Sequence, residues 1–314
     1  MMDLIKRLKV SYGVYNFFHP GELKHNVPLF KHYGISKRYY SPLSSKDFKE
    51  VNPALVEPAE VSDFAGTSLF REMSEENRKS ALAFDEKGFL ILRGYLSPEK
   101  ADQFNAEIDG LLSEKKIGFK YVNKVMFAIH QSSLLRSIGE RKELKDFLGK
   151  LVGGEVSLFQ SINFIMGSEQ HTHSDSIHMT TFPLGGLLGA WIALDDITTE
   201  NGPLHYYPGS HKLPYYLNAD YDNEGSSMLI GKQTYSAYEA MIEGKIKEWG
   251  LKKEVFTAKK GDLLVWHANL FHGGEPHRDK RLTRRSMVLH YFRQNSICYH
   301  EITQRPALIK TIPL

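Results

Sequence analysis

The chain has 314 residues, 41% of them hydrophobic and 25% charged, with 40 basic and 37 acidic side chains and a net charge of +3. This composition suits a globular chain that buries a sizeable core, excludes a disordered or collagen-like one, and gives no electrostatic footprint for nucleic acid. The single cysteine, Cys298, excludes an intrachain disulfide and predicts a reducing, cytoplasmic setting.

The N-terminal stretch MMDLIKRLKV has no apolar segment of signal-peptide type. No window approaches the ~18 apolar residues of a membrane span. Leu4, Ile5 and Leu8 read as a terminal turn packed on its own domain, with docking on a membrane or partner as the alternative. Residues 1–70 are rich in Tyr, Phe, His, Lys and Pro, weakly periodic, and punctuated by Pro42, Pro53 and Pro58. They predict an irregular arm with short helices packed on the core. Residues 71–314 form the main domain.

Within that domain, Ser74 caps a predicted helix that runs to about Lys87 and stops at Gly88. Phe89 to Tyr95 reads as a buried strand. Ser97-Pro98 opens a helix whose Ala101, Phe104, Ile108, Leu111 and Leu112 share one face. Two more helices fill 131–152, so helices at about 74–152 brace one side. Strands follow at 155–166, 189–194, 204–207, 253–257, 262–267 and 284–293, interrupted by a helix over 235–249. Short strands separated by Gly and Pro turns predict a mainly β fold of jelly-roll type. The basic run Arg278–Arg285 reads as a solvated loop entering a strand.

Chemistry concentrates in QHTHSDSIHM, residues 170–179, with three histidines and one aspartate within eight residues. On an extended strand, residues two apart point to one side, so His173 and Asp175, or His171 and His173, can reach one metal ion. His272, in LFHGG, is a candidate third ligand 97 residues after Asp175, with His267 and His277 as alternatives. Two imidazoles and a carboxylate on one face of an octahedron suit Fe(II) and leave positions for a chelating cosubstrate and O2. Zinc suits the same ligands. Arg284 favours iron: with Ser286 on the same strand face it forms a carboxylate clamp, which 2-oxoglutarate needs and a zinc hydrolase does not. Arg285 is the fallback if the register is off by one.

The order His173-Ser-Asp175, GAWIALDDITTENGPLHYYPGSH at 189–211, Gly261-Asp262, His272-Gly273 and Arg284-x-Ser286 resembles the phytanoyl-CoA dioxygenase family of iron and 2-oxoglutarate oxygenases. The resemblance covers about 155–293, reaches loosely back to about 84, and does not include residues 1–70. It implies a double-stranded β-helix of cupin-like type, iron held by His173, Asp175 and His272, and 2-oxoglutarate bound by Arg284. Asp175 is present, so the chain does not resemble the halogenating relatives.

Around this set, Asn163, Gln160 and Trp191 are candidate cosubstrate contacts, and His178 and His290 candidate substrate contacts. The reading is a dioxygenase that uses Fe(II), 2-oxoglutarate and O2 to hydroxylate a small-molecule or carrier-bound substrate, with no catalytic residue beyond the metal ligands. The alternatives are a zinc-dependent hydrolase on the same ligands and a non-catalytic jelly-roll binding module.

Overall fold

Residues 7–56, 62–121 and 123–310 are described in this computed structural model. Leu4, Ile5 and Pro58 lie outside them. The strands are β1 (Phe89–Leu92), β2 (Phe119–Lys120), β3 (Lys124–Met126), β4 (Val156–Phe164), β5 (Thr180–Phe182), β6 (Leu187–Ala193) and β7 (Leu204–Tyr206). They continue with β8 (Glu254–Phe256), β9 (Leu263–His267), β10 (His272–Gly274), β11 (Ser286–Arg293), β12 (Ile297–His300) and β13 (Arg305–Pro306).

The long apolar runs build the major sheet, seven-stranded and ordered β1-β9-β6-β11-β4-β3-β2. Pairing along β1-β9-β6-β11-β4 is antiparallel throughout. Alternation then sorts the side chains of β11. Met287, Leu289 and Tyr291 face out into a core shared with Phe104, Leu135 and Phe147 of the bracing helices. Val288 faces in, packed with Trp191, Leu264 and Trp266 and with Leu204, Tyr206 and Phe256 of the opposing sheet β10-β7-β8. The two facing sheets make a double-stranded β-helix. Each large apolar side chain in these clusters contributes about 1.5–3 kcal/mol by burial.

The bracing helices start where their caps predict. The Ser74 hydroxyl accepts from the Asn77 amide at 3.2 Å, and that of Ser97 from the Lys100 amide at 3.3 Å. The first predicted helix is split at Ala83 into Glu75–Leu82 and Phe84–Lys87, and Gly88 ends it with φ 80°. Pro98–Ser113, Ser133–Gly139 and Lys142–Leu151 complete the layer. No helix of the described residues is long and apolar enough to cross a membrane.

The third sheet, β13-β12-β5, receives the N-terminal segment. Phe30, Tyr33, Leu43 and Phe48 pack against Ile297 and Tyr299. The Ser45 amide and hydroxyl both donate to the buried Glu301 carboxylate, at 2.9 and 2.7 Å.

Candidate metal centre

The last bridge of the minor sheet brings the two histidines together. The His173 amide donates to the His272 carbonyl and the His272 amide to the His173 carbonyl, both at 2.9 Å. Gly273 lets β10 lie close, because a Cβ there would stand 2.7 Å from the Gln170 carbonyl oxygen. Asp175 does not continue a strand, as the sequence suggested; it opens the 3-10 turn Asp175–Ile177. That turn swings the carboxylate beneath the rings, with Oδ1 at 3.7 Å from Nε2 of both His173 and His272. Among the described residues these three form the one group able to hold a metal ion, their ligand atoms all within 4.8 Å of one another.

Both rings are fixed by backbone. Nδ1 of His173 lies 2.8 Å from the His171 carbonyl, and Nδ1 of His272 lies 2.9 Å from that of Leu270. A carbonyl only accepts, so Nδ1 carries the proton and each Nε2 presents a lone pair to the site. Burial, with His272 next, pulls the His173 imidazole well below its ordinary value and keeps it neutral. Burial alone would raise Asp175, but His272, His290 and His173 more than offset it and hold the carboxyl well below the usual range. A neutral His173 imidazole beside an ionised Asp175 is the protonation state that a divalent cation requires of these two ligands.

Sequence reasoning missed the group that orients the carboxylate. The Trp266 indole N–H donates to Asp175 Oδ2 at 2.7 Å, and its ring lies 4.9 Å from that of His272. Gly189 sits directly opposite Trp266 on β6, and a Cβ there would approach indole Cζ2 to 2.6 Å and Nε1 to 2.8 Å. The glycine leaves the space that the indole fills. His267, one residue on, is half-buried with its ring against that of His211, and His277 turns its Nε2 toward the Asp279 and Leu282 carbonyls. Neither joins the cluster.

Arg284 and Ser286 do share an inward face. The Arg284 amide donates to the Ile165 carbonyl, extending the β11–β4 ladder past its end. Its guanidinium is fully buried, with Nε donating to the Gly202 carbonyl at 3.0 Å and Nη1 to the Ser286 hydroxyl at 3.1 Å. It stands 5.2 Å from the Trp191 ring centroid and 5.9 Å from that of Phe164. Burial lowers it to about 10, so it stays charged at neutral pH. Nη2 of Arg284 and Nε1 of Trp191 are both buried donors without a protein partner. Arg285 points the other way and pairs with Asp109 on the helix Pro98–Ser113 at 2.9 Å.

His290 and His178 flank the triad. His290 Nε2 lies 3.6 Å from Asp175 Oδ2, and the His178 ring centroid 5.7 Å from that of His173. His178 also meets the Tyr235 hydroxyl at 3.0 Å, on the helix Tyr235–Glu248. Gln160 is paired with His290 and so shares its face. Asn163 does not. It pairs with Met287 and Val125, which face the helices, and the barrel interior lies behind it. The assignment of Asn163 to the cosubstrate pocket is corrected accordingly. A cavity of about 1040 Å³ opens beside Thr67, Arg71, Lys150 and Arg293, at the end of β11 away from Ser286.

Residues 84–286 match the family model described as Phytanoyl-CoA dioxygenase (PhyH). The chain belongs to the phytanoyl-CoA dioxygenase family. Phytanoyl-CoA dioxygenase domain-containing protein 1 of Mus musculus is 34% identical over 181 residues, 54% of this chain and 57% of that protein. The chain thus spans little more than half the length of that relative. Ectoine dioxygenase of Nocardia farcinica (strain IFM 10152) is 26% identical over 236 residues, 69% of this chain and 77% of that protein. Among solved structures, the non-heme alpha ketoglutarate dependent carbocyclase SnoK from nogalamycin biosynthesis matches with a TM-score of 0.58 at 17% identity, covering 74% of this chain and 88% of that one. EctD from S. alaskensis with 2-oxoglutarate and 5-hydroxyectoine matches with a TM-score of 0.54 at 20% identity, covering 76% and 81%. These structural likenesses show the double-stranded β-helix fold.

Proposed function

We propose that this chain is a non-haem Fe(II)- and 2-oxoglutarate-dependent dioxygenase that hydroxylates an unactivated C–H bond of a small-molecule or carrier-bound substrate. One observation carries the reading. A two-histidine, one-carboxylate cluster shares the barrel with a fully buried arginine whose Nη2 has no partner. An uncompensated buried cation is costly, and a carboxylate from outside the chain relieves that cost. A zinc hydrolase or a binding module has no use for it.

The residues fit the metal: both Nε2 lone pairs and Asp175 Oδ1 converge, and backbone carbonyls fix both tautomers. His173, Asp175 and His272 would hold Fe(II), which when bound couples O2 reduction to oxidative decarboxylation of 2-oxoglutarate into succinate and CO2. Arg284 and Ser286 would bind the far carboxylate of 2-oxoglutarate, with Trp191 beneath it and Gln160 near the same pocket. Trp266 keeps Asp175 Oδ1 turned to the ligand set. His290 and His178 border the remaining space and would meet the substrate. Membership of the family and the likeness to ectoine dioxygenase support this assignment.

The test is succinate formation from 2-oxoglutarate by the purified chain. It should require Fe(II) and fall to background in Asp175→Ala. No succinate at any 2-oxoglutarate concentration in the Fe(II)-loaded chain, or succinate formation unchanged in Asp175→Ala, would remove the proposal.

A further inference from the structure

The helix Lys9–Phe17 is built inside out. Its buried residues are Lys9 and Asn16. The Lys9 ammonium donates to the Ser226 carbonyl at 2.7 Å, and the Asn16 amide to the Tyr40 carbonyl at 3.0 Å. Apart from Ser11, its exposed residues are aliphatic or aromatic. Val10 is 67% exposed, Val14 53%, Phe17 56% and the following Phe18 73%. The spacing of 10, 14, 17 and 18 puts these four on one helical face. Met228, 70% exposed, adds to it, because its carbonyl accepts the Lys9 amide. A helix that tethers itself through a lysine and an asparagine while turning valine and phenylalanine to water has its apolar stripe on the wrong side for a free surface.

Charge indicates what covers it. Residues 7–56 carry eight Lys or Arg against three Asp or Glu, a net +5, whereas the entire chain carries +3, so the rest is −2. The turn Pro20–Glu22 leads into the next helix, Asn26–His32, which exposes Val27 and Lys31 one turn apart, with Lys24 just before it. Among the described residues, Lys24 and Lys31 have no ion-pair partner. A second copy seated on this face by two-fold symmetry would oppose the same basic residues to themselves. An exposed face of aromatic and aliphatic side chains, followed in the chain by exposed lysines at the next helix, instead matches the interface of an anionic bilayer, where rings sit among the headgroups and ammonium groups meet phosphate.

We propose that the N-terminal helices form a docking face for anionic phospholipid membranes. The chain lies on the bilayer through Phe17 and Phe18 and is held electrostatically by Lys24 and Lys31.

Cosedimentation of the full chain with vesicles of phosphatidylcholine alone, or with about a third phosphatidylserine, tests this. The chain should pellet with the anionic vesicles and at least tenfold less with the neutral ones, and 0.5 M salt should release it. Phe17→Glu with Phe18→Glu should abolish binding, and Lys24→Glu with Lys31→Glu should weaken it tenfold or more. Unchanged far-ultraviolet circular dichroism and thermal midpoint should accompany both variants. No pelleting with either vesicle overturns the proposal, as does binding that both double variants retain. A concentration-dependent dimer lost in the phenylalanine variant, without vesicle binding, overturns it in favour of self-association.

Discussion

The Trp266 indole N–H and the Asp175 carboxylate meet at 2.7 Å, and this contact sets the geometry of the centre. It occupies Oδ2, leaving Oδ1 equidistant, at 3.7 Å, from the two imidazole nitrogens. The relationship depends on β6 as well as β9, because the indole lies over Gly189.

Trp266→Phe keeps a ring of similar shape and removes the donor. Fe(II) affinity should fall roughly ten- to hundredfold, the range for losing a partner of a metal-ligating group, with folding retained. Gly189→Ala should produce a comparable loss without touching any donor, because the added methyl displaces the indole. Equilibrium dialysis against Fe(II) under anaerobic conditions measures both. Affinities equal to wild type in the two variants would remove Trp266 from the centre.

Arg284→Ala should raise the KM for 2-oxoglutarate by roughly ten- to hundredfold, since a charge-assisted contact contributes about 1.5–3 kcal/mol. Arg285→Ala should leave it unchanged, because that guanidinium is engaged with Asp109 at the surface. Steady-state kinetics with varied 2-oxoglutarate separates the two. The opposite ranking would transfer the clamp to Arg285.

Acid should destabilise the protein before its carboxylates titrate. Burial, with His211 next, depresses His267 from 6.5 to about 3, and burial, with His178 next, does the same to His300. The unfolded chain therefore takes up protons first. The stability these neutral rings contribute is complete above pH 6.5 and is lost as pH falls from 6.5 toward 3. Each costs about 1 kcal/mol per pH unit over that window. Thermal midpoints of the metal-free chain between pH 7.5 and 5 should fall, and His267→Gln should flatten the slope. A midpoint independent of pH down to 5 would contradict the assignment.

Fe(II) binds only where the three ligands are assembled, so it should stabilise the fold by mass action. The gain is about 2.7 kcal/mol at a hundredfold excess over Kd. Anaerobic thermal melts should show an upward shift on adding Fe(II), reversed by a chelator and absent in Asp175→Ala. A shift of equal size in that variant would place the metal elsewhere.

Much of this was legible in the sequence, for identifiable reasons. The strands β6 and β9 are nearly continuous apolar runs, β4 and β11 are β-rich runs crossed by a few polar residues, and Ser74 and Ser97 announce their helices by capping. Arg284 and Ser286 are two apart and face together. Gln160 and Asn163 are three apart, so strand alternation separates them, a signal present in the numbering. The Trp266–Gly189 contact depends on cross-strand register, which is set by pairing partners far apart in the chain. The short strands β10 and β12 carry little local signal: β10 is His-Gly-Gly, which on its own reads as a turn. Asp175 reads as strand by spacing, yet its turn is imposed by the His173 bridge on one side and the Ser176 amide bonded to the Ala268 carbonyl on the other.

The most direct test of the central claim is anaerobic titration of the metal-free chain with Fe(II) and 2-oxoglutarate, recorded by visible absorption. A weak charge-transfer band should appear only when both are present, and should be absent in His173→Ala. Bound metal with no band at any 2-oxoglutarate concentration would contradict the account.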